Sequence, residues 1–257
     1  FLLKVPKRYS DRRVTVSFLG YTSQVLRLSD ILGEGHVIRL ETHIEELSEV
    51  NITVRDANSL IREVLKRKGD NYLTDPTIMT AFYRETIKKR RNYVSLSEAV
   101  VEIGKQSYTS PRSDMLRLHR ARKSTDYSKL DTVALKLRGG PFSTIYLDIM
   151  KNPDLFFTDE MVDNYEFHFE QSTKIDNRVI YVLNFKQKPG VEEMLFAGKL
   201  YIDAQSLALT SARFDLNLDD PMEAARYFIL RKPRNAKVTP VQATYQVDYR
   251  IRDGRWH

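Results

Sequence analysis

From Tyr165 to Leu218 apolar and polar residues alternate through four runs: Tyr165–Gln171, Val179–Gln187, Met194–Asp203 and Leu207–Leu218. A period of two gives each run one buried and one wet face, the signature of a half-buried strand. Four such runs joined by short turns predict an antiparallel meander. Its inward set is Phe167, Phe169, Tyr181, Leu183, Phe185, Leu200, Ile202, Phe214 and Leu216.

The same pattern organises the rest of the chain. Residues 1–54 hold short alternating runs at Phe1–Val5, Val14–Leu19, Ser23–Leu28, His36–Glu41 and Glu49–Val54, with turn residues about every ten positions, as in a β-sandwich. At Asn58–Lys68 the period changes to a helical one, with Leu60, Ile61, Val64 and Leu65 on one side, Asp56 as N-cap and Gly69 as the stop. Thr77–Lys89 and Asn92–Gly104 read as a long hairpin turning at Lys89–Asn92, with a bulge or bend where Val100-Val101 breaks the alternation. Met115–Arg122 is a further strand and Lys123–Thr132 a mobile polar stretch. Thr132–Arg138 is a short strand or helix, Gly139-Gly140-Pro141 a break, and Thr144–Met150 helix-leaning. Phe156-Phe157 suggests a packed loop. Asp220-Pro221 starts a helix that runs to Lys232, and Val241–Arg252 is a final strand.

Two stretches resemble known families. F-x-L-x-V-P, V-x-V-S-F-L-G-Y, V-I-R-L-E and L-S-E-V-N-I-T-V occur in that order within Phe1–Val54. Together they resemble the C-terminal part of the carboxypeptidase-regulatory-like domain of Bacteroidetes envelope proteins. The resemblance implies a small, non-enzymatic sandwich that here lacks its first strands. The run M-L-F-A-G-K-L-Y-I-D-x-x-S-L-A-L-T-S-A-R-F-D-L resembles the strand pair of lipoprotein-carrier-like domains of the LolA and LppX type. That likeness implies a curved sheet around helices enclosing a greasy cavity. The fold class expected is therefore α+β and mostly antiparallel β. A partial sandwich over 1–54 is followed by a curved antiparallel sheet packed on a few helices over 55–257.

Composition adds limits. The 257 residues can bury one large or two ordinary cores, and 42% hydrophobic with 29% charged residues is the balance of a globular protein. No apolar run approaches the roughly 20 residues of a membrane-spanning helix. The opening FLLKVPKRYS reads as strand and turn rather than as a leader, and the sequence reads as an excerpt of a longer protein. Cysteine is absent, which excludes disulfides and thiolate chemistry. The formal charge of +7 is concentrated in residues 84–123, where eleven basic and four acidic side chains lie. A local excess of this kind argues against a whole-surface nucleic-acid binder, as does the scarcity of interleaved aromatics.

Candidate chemistry is sparse. Glu166, His168 and Glu170 share one strand face, a two-carboxylate, one-imidazole set that the wet face of a strand also explains. Asp215-x-Asn217-x-Asp219 imitates the start of a calcium loop but has Asp220 where glycine is needed and Arg226 where glutamate is needed. Gly139-Gly140 lacks the lysine and hydroxyl of a phosphate loop, and no G-x-S-x-G is present. No metal or cofactor is expected. Lys88, Lys89, Arg90, Arg91, Arg117, Arg120 and Arg122 form a basic cluster suited to an anionic partner, or to guarding an edge strand. Two functions follow as expectations. One is a non-enzymatic binding or scaffolding module of an outer-membrane-associated or periplasmic protein. The other is a carrier or sensor of a lipid or other apolar ligand, held between the sheet's inward set and the helices.

Overall fold

The computed structural model describes residues 10–16, 21, 23–31, 33, 36–41, 56–89, 91–126, 136–155, 157–175, 177–232 and 237–257. The first block contributes a two-stranded antiparallel pair, β1 (Arg13–Val16) and β2 (Gln24–Arg27). The strands expected at Phe1–Val5 and Glu49–Val54 lie outside the described residues, and His36–Glu41 forms no strand. Helix α1 (Ala57–Lys66) follows, then a single turn α2 (Lys68–Asn71). Three long strands make the second sheet: β3 (Thr77–Lys89), β4 (Asn92–Lys105) and β5 (Met115–Thr125). After them come β6 (Lys136–Leu137), α3 (Pro141–Tyr146) and α4 (Asp159–Val162). The meander is β7 (Tyr165–Ile175), β8 (Arg178–Gln187), β9 (Phe196–Asp203) and β10 (Leu209–Leu216). The chain ends with α5 (Pro221–Phe228), β11 (Ile229–Arg231), β12 (Thr244–Asp248), β13 (Ile251–Arg252) and β14 (Arg255–Trp256).

The alternation of the meander becomes rows of side chains across the sheet. β12 joins it at one edge, giving the order β12-β10-β9-β8-β7, antiparallel throughout. One row runs Phe167, Phe185, Gly198, Phe214, Tyr245, and the next runs Phe169, Leu183, Leu200, Ala212, Val247. On the opposite face lie Glu166 paired with Lys186, Glu170 with Lys199, and Ser211 bonded to Asp248. The inner face is covered by α1, which places Leu60, Ile61 and Val64 in the same core as the sheet's aromatics, together with Tyr72, Met150 and Trp256.

Asp56 caps α1 as expected, accepting from the Ser59 amide at 2.8 Å. The helix stops at Arg67, two residues before Gly69, because that arginine bonds back to Glu63 and the chain re-enters α2. The long hairpin has the predicted bounds except that β4 runs one residue further, to Lys105, which pairs with Thr77, and the register does shift at Val100/Val101, with His119 as the extra residue on β5. β5 continues to Thr125, through residues expected to be mobile, because Lys123, Ser124 and Thr125 pair with Ser97, Leu96 and Ser95. Helix α5 ends at Phe228 rather than Lys232, since Ile229–Arg231 turns into a strand against β6. The single final strand is instead β12 followed by the hairpin β13–β14, which turns at Asp253-Gly254.

The turn after β9 is the D-x-x-S of the sequence. Asp203, 1% exposed, accepts from the Ser206 amide at 2.7 Å, the Ser206 hydroxyl at 2.8 Å and Arg178 at 3.1 Å. Burial pushes its carboxyl up, but the bonds from Ser206 and Arg178 outweigh burial and hold it below its ordinary value. A lowered pKa gives stability that is present above the ordinary carboxylate range and lost as pH falls through the native value. The Tm difference between the wild type and Asp203→Asn should therefore hold steady from neutral pH down to about pH 5 and shrink below about pH 4. A difference independent of pH would contradict this assignment.

A buried polar network ties the two large sheets together. Lys105, at the end of β4, bonds Asp114 at 2.8 Å and Asp148 at 2.5 Å. Asp148 also accepts from Tyr108 at 2.9 Å and from Tyr249, just beyond β12, at 2.8 Å. Lys151 donates to the carbonyls of Ser107 and Ser110 at 2.6 and 2.7 Å. Every charge in this group has a partner, as burial demands.

Candidate ligand-binding cleft

A large concavity lies between α3 and α5, outside the meander's core. Each wall has a local reason to stand where it does. Gly140 precedes α3 with φ +104°, a conformation that glycine adopts without strain, and Pro141 opens the helix. The Gly140 amide donates to the Tyr83 hydroxyl on β3 at 3.1 Å, fixing one wall to the second sheet. Opposite, Asp220 caps α5 by accepting from the amides of Met222 and Glu223, and Ala224 turns the helix inward as its fully buried residue. The amide of Arg138 donates to Phe228 at 2.7 Å, so the strand before α3 is stitched to the end of α5.

The resulting cleft has a volume of about 1350 Å3. On α3 a spacing of four brings Phe142 and Tyr146 onto one face. Phe142 and Tyr146 on α3 and Met222 and Tyr227 on α5 all line it while being 61%, 46%, 70% and 46% exposed. Phe228, Ile145, Leu147 and Tyr245 add further apolar surface. Large side chains that line a concavity and remain open to water are the sort of surface ligands cover.

The polar groups of the lining are mostly committed to the protein itself. Tyr83 donates to Glu85 at 2.8 Å, and its phenol is pushed up to about 12 by burial and by that carboxylate. Tyr146 donates to Asp154, and that bond together with burial takes it to about 12 as well. Asp114 is spent on Lys105, Asp220 on the cap, and Arg84 on Glu98, which Arg122 also holds. These two arginines hold the Glu98 carboxyl below its ordinary value. Arg138 and Arg226 line the cleft exposed, with no ion-pair partner among the described residues.

The residues singled out in the sequence fall elsewhere. Phe167, Tyr181, Leu183, Phe185, Leu200, Ile202, Phe214 and Leu216 are buried and Phe169 half-buried, packed with one another and with α1. None of these nine lines the cleft between α3 and α5, and Leu216 borders a smaller one beside Asn217 and Gln187. The basic cluster is divided by the strand register. Lys88 stands over the Tyr93 ring at 4.3 Å, Arg117 pairs with Glu102, and Arg122 pairs with Glu98. Arg120 faces Val100, seven residues along β4 from Tyr93, which is roughly 20–25 Å from the hairpin tip. Arg91 is exposed at that tip, whereas Arg90 and the Lys89 side chain lie outside the description.

Glu166 and Glu170 are occupied by lysines, Asp215 accepts from Thr244, and the described residues contain no group of three or more acids, histidines or cysteines placed to hold a metal. No described helix is long and apolar enough to cross a membrane. Sequence reading missed Phe142, Tyr146, Met222 and Tyr227. The signal available was the four-residue spacing of Phe142 and Tyr146 on α3, which also fits an ordinary core face; Met222 and Tyr227, five apart, gave no such signal. Comparison with family models, curated proteins and solved structures gave no match.

Proposed function

We propose that the chain is a non-enzymatic binding module of the cell envelope and that an apolar or amphipathic ligand seats between α3 and α5. One observation carries this reading: four large apolar side chains, exposed to water, converge on one cleft of about 1350 Å3. That volume exceeds the roughly 300–1000 Å3 of ordinary small-ligand pockets, so an extended ligand fits. Binding is favoured over catalysis because the phenols of Tyr83 and Tyr146 and three of the four carboxylates of the lining are tied up in structural bonds. The envelope setting rests on the resemblance of residues 1–54 alone. The carrier reading retains its ligand class but moves its site from the meander's inner face to the cleft.

Each buried methylene contributes about 0.8 kcal/mol, so a half-covered ten-carbon chain gains roughly 4 kcal/mol before head-group contacts. Titration with the neutral probe N-phenyl-1-naphthylamine tests the site. Fluorescence should rise saturably, and Met222→Asp with Tyr227→Ala should weaken binding by about tenfold or more. Ile78→Ala, on β3 away from the cleft lining, should leave it unchanged. Equal binding by the cleft variant and the wild type would reject the assignment.

A further inference from the structure

Building on the cleft reading above, we propose that the ligand is a single-chain amphiphile with an anionic head, a carboxylate or phosphate monoester, held by Arg138 and Arg226. It starts from the cations of the lining that no ion pair holds among the described residues. Of the three arginines in the lining, Arg84 is bound to Glu98 at 2.5 Å, leaving Arg138 and Arg226. Of the four acids, Asp220 caps α5, Asp114 holds Lys105 and the Gln106 amide, and Glu85 accepts from Tyr83. Only Glu223 remains without a bonded partner among the described residues. Arg138 and Arg226 are thus the cations of the lining that no described carboxylate holds, while Glu85 and Asp220 keep their charge but turn their oxygens to the Tyr83 hydroxyl and the α5 amides.

Placement strengthens the count. Arg138 is rooted beside Phe228 by the 2.7 Å bond from its amide, and Arg226 lies in the last turn of α5, two residues earlier in the chain. Both guanidinium groups therefore arise from the same end of α5. Met222 lies a turn back along that helix, and Phe142 lies in the first turn of α3, four residues after Arg138. One end of the cleft offers planar donors that match carboxylate or phosphate oxygens, beside an apolar wall for a chain. A choline-type cation would be set against both guanidinium groups, and an alcohol would leave them without an anion.

Displacement of N-phenyl-1-naphthylamine by four ten-carbon compounds, each below its micelle concentration, tests the proposal on the full chain. The compounds are decanoate, decyl phosphate, decan-1-ol and decyltrimethylammonium. Decanoate and decyl phosphate should bind about fivefold tighter than decanol at low salt, with the margin shrinking as ionic strength rises, and the quaternary amine should bind weakest. Arg138→Gln combined with Arg226→Gln should bring the anion-to-alcohol ratio close to one, while the paired lysine variants and Lys88→Gln should preserve it. Tighter binding of the phosphate identifies a phosphate-headed ligand, and tighter binding of the carboxylate a fatty-acid type. Equal affinity for decanol and both anions, or a ratio indifferent to the glutamine substitutions, overturns the proposal. If the probe binds the cleft and no anion displaces it, the head-group assignment fails while the cleft stands. A probe insensitive to the Met222 and Tyr227 changes removes both.

Discussion

Gly198→Ala should cost more than about 4 kcal/mol and leave no cooperative unfolding transition for the five-stranded sheet. A β-carbon at this position would lie 2.1 Å from the carbonyl oxygen of Arg213 and 2.6 Å from the α-carbon of Phe214. Both are backbone atoms of β10, the hydrogen-bonded neighbour of β9, so no side-chain rotation relieves the clash. Relief requires β9 and β10 to separate where Phe214 packs against Phe196 at 5.3 Å and Tyr245 at 5.4 Å. Ordinary overpacking costs about 1–3 kcal/mol because side chains can shift, and that route is closed here. Gly104→Ala is the control. Gly104 also lies within a strand, but its added β-carbon would meet only ordinary contacts, the nearest being Met115 at 3.5 Å. It should change stability by less than about 1 kcal/mol. Denaturant unfolding of the two variants gives the comparison, and a Gly198→Ala protein as stable as Gly104→Ala would contradict the packing described.

The second large effect is expected at Asp148. Asp148→Ala should destabilise by roughly 3–5 kcal/mol, the cost of breaking a buried ion pair by removing one partner. The loss has several parts. The hydroxyls of Tyr108 and Tyr249 each lose an acceptor, and Lys105 retains Asp114 alone. Lys105 and Asp114 are only 8% and 5% exposed at their side chains, so water is a poor substitute for the lost partner. Lys105→Met should cost a similar amount. The double variant should cost less than the sum by about 1–3 kcal/mol, because once either partner is gone their shared bond has already been lost. Strict additivity would mean that the two side chains do not interact. Because the network joins the end of β4 to the end of β12, its loss should also loosen the two sheets relative to each other, readable as faster amide exchange at Tyr249.

The meander was legible in the sequence for a simple reason. With one face wet and one buried, each strand writes its own period, and Tyr165–Leu218 contains little that competes with it. The hairpin of β3 and β4 was legible for the same reason, down to the break at Val100-Val101. Elsewhere partners distant in sequence overrule the local pattern. Ile229–Arg231 continues the helical composition of α5, yet pairs with Lys136–Leu137 instead. Lys123–Thr125 looks like polar linker and becomes the end of β5 because Ser95–Ser97 lies beside it. The basic residues are close in number but spread along strands tens of ångströms long, so proximity in sequence misled there. The cleft was hidden for a different reason. Phe142 with Tyr146 has the spacing of a core stripe, which nothing local distinguishes from an open one, and Met222 with Tyr227, five apart, shows no stripe at all.

The claim that ligand binding belongs to the α3–α5 cleft, and not to the interior of the meander, is tested most directly by amide chemical-shift mapping on the labelled chain titrated with decanoate. Saturable shifts should concentrate at residues 142–147 and 222–228, with those of Leu183, Leu200 and Phe214 nearly unmoved. Shifts concentrated at those three, or the lack of any saturable change, would contradict it.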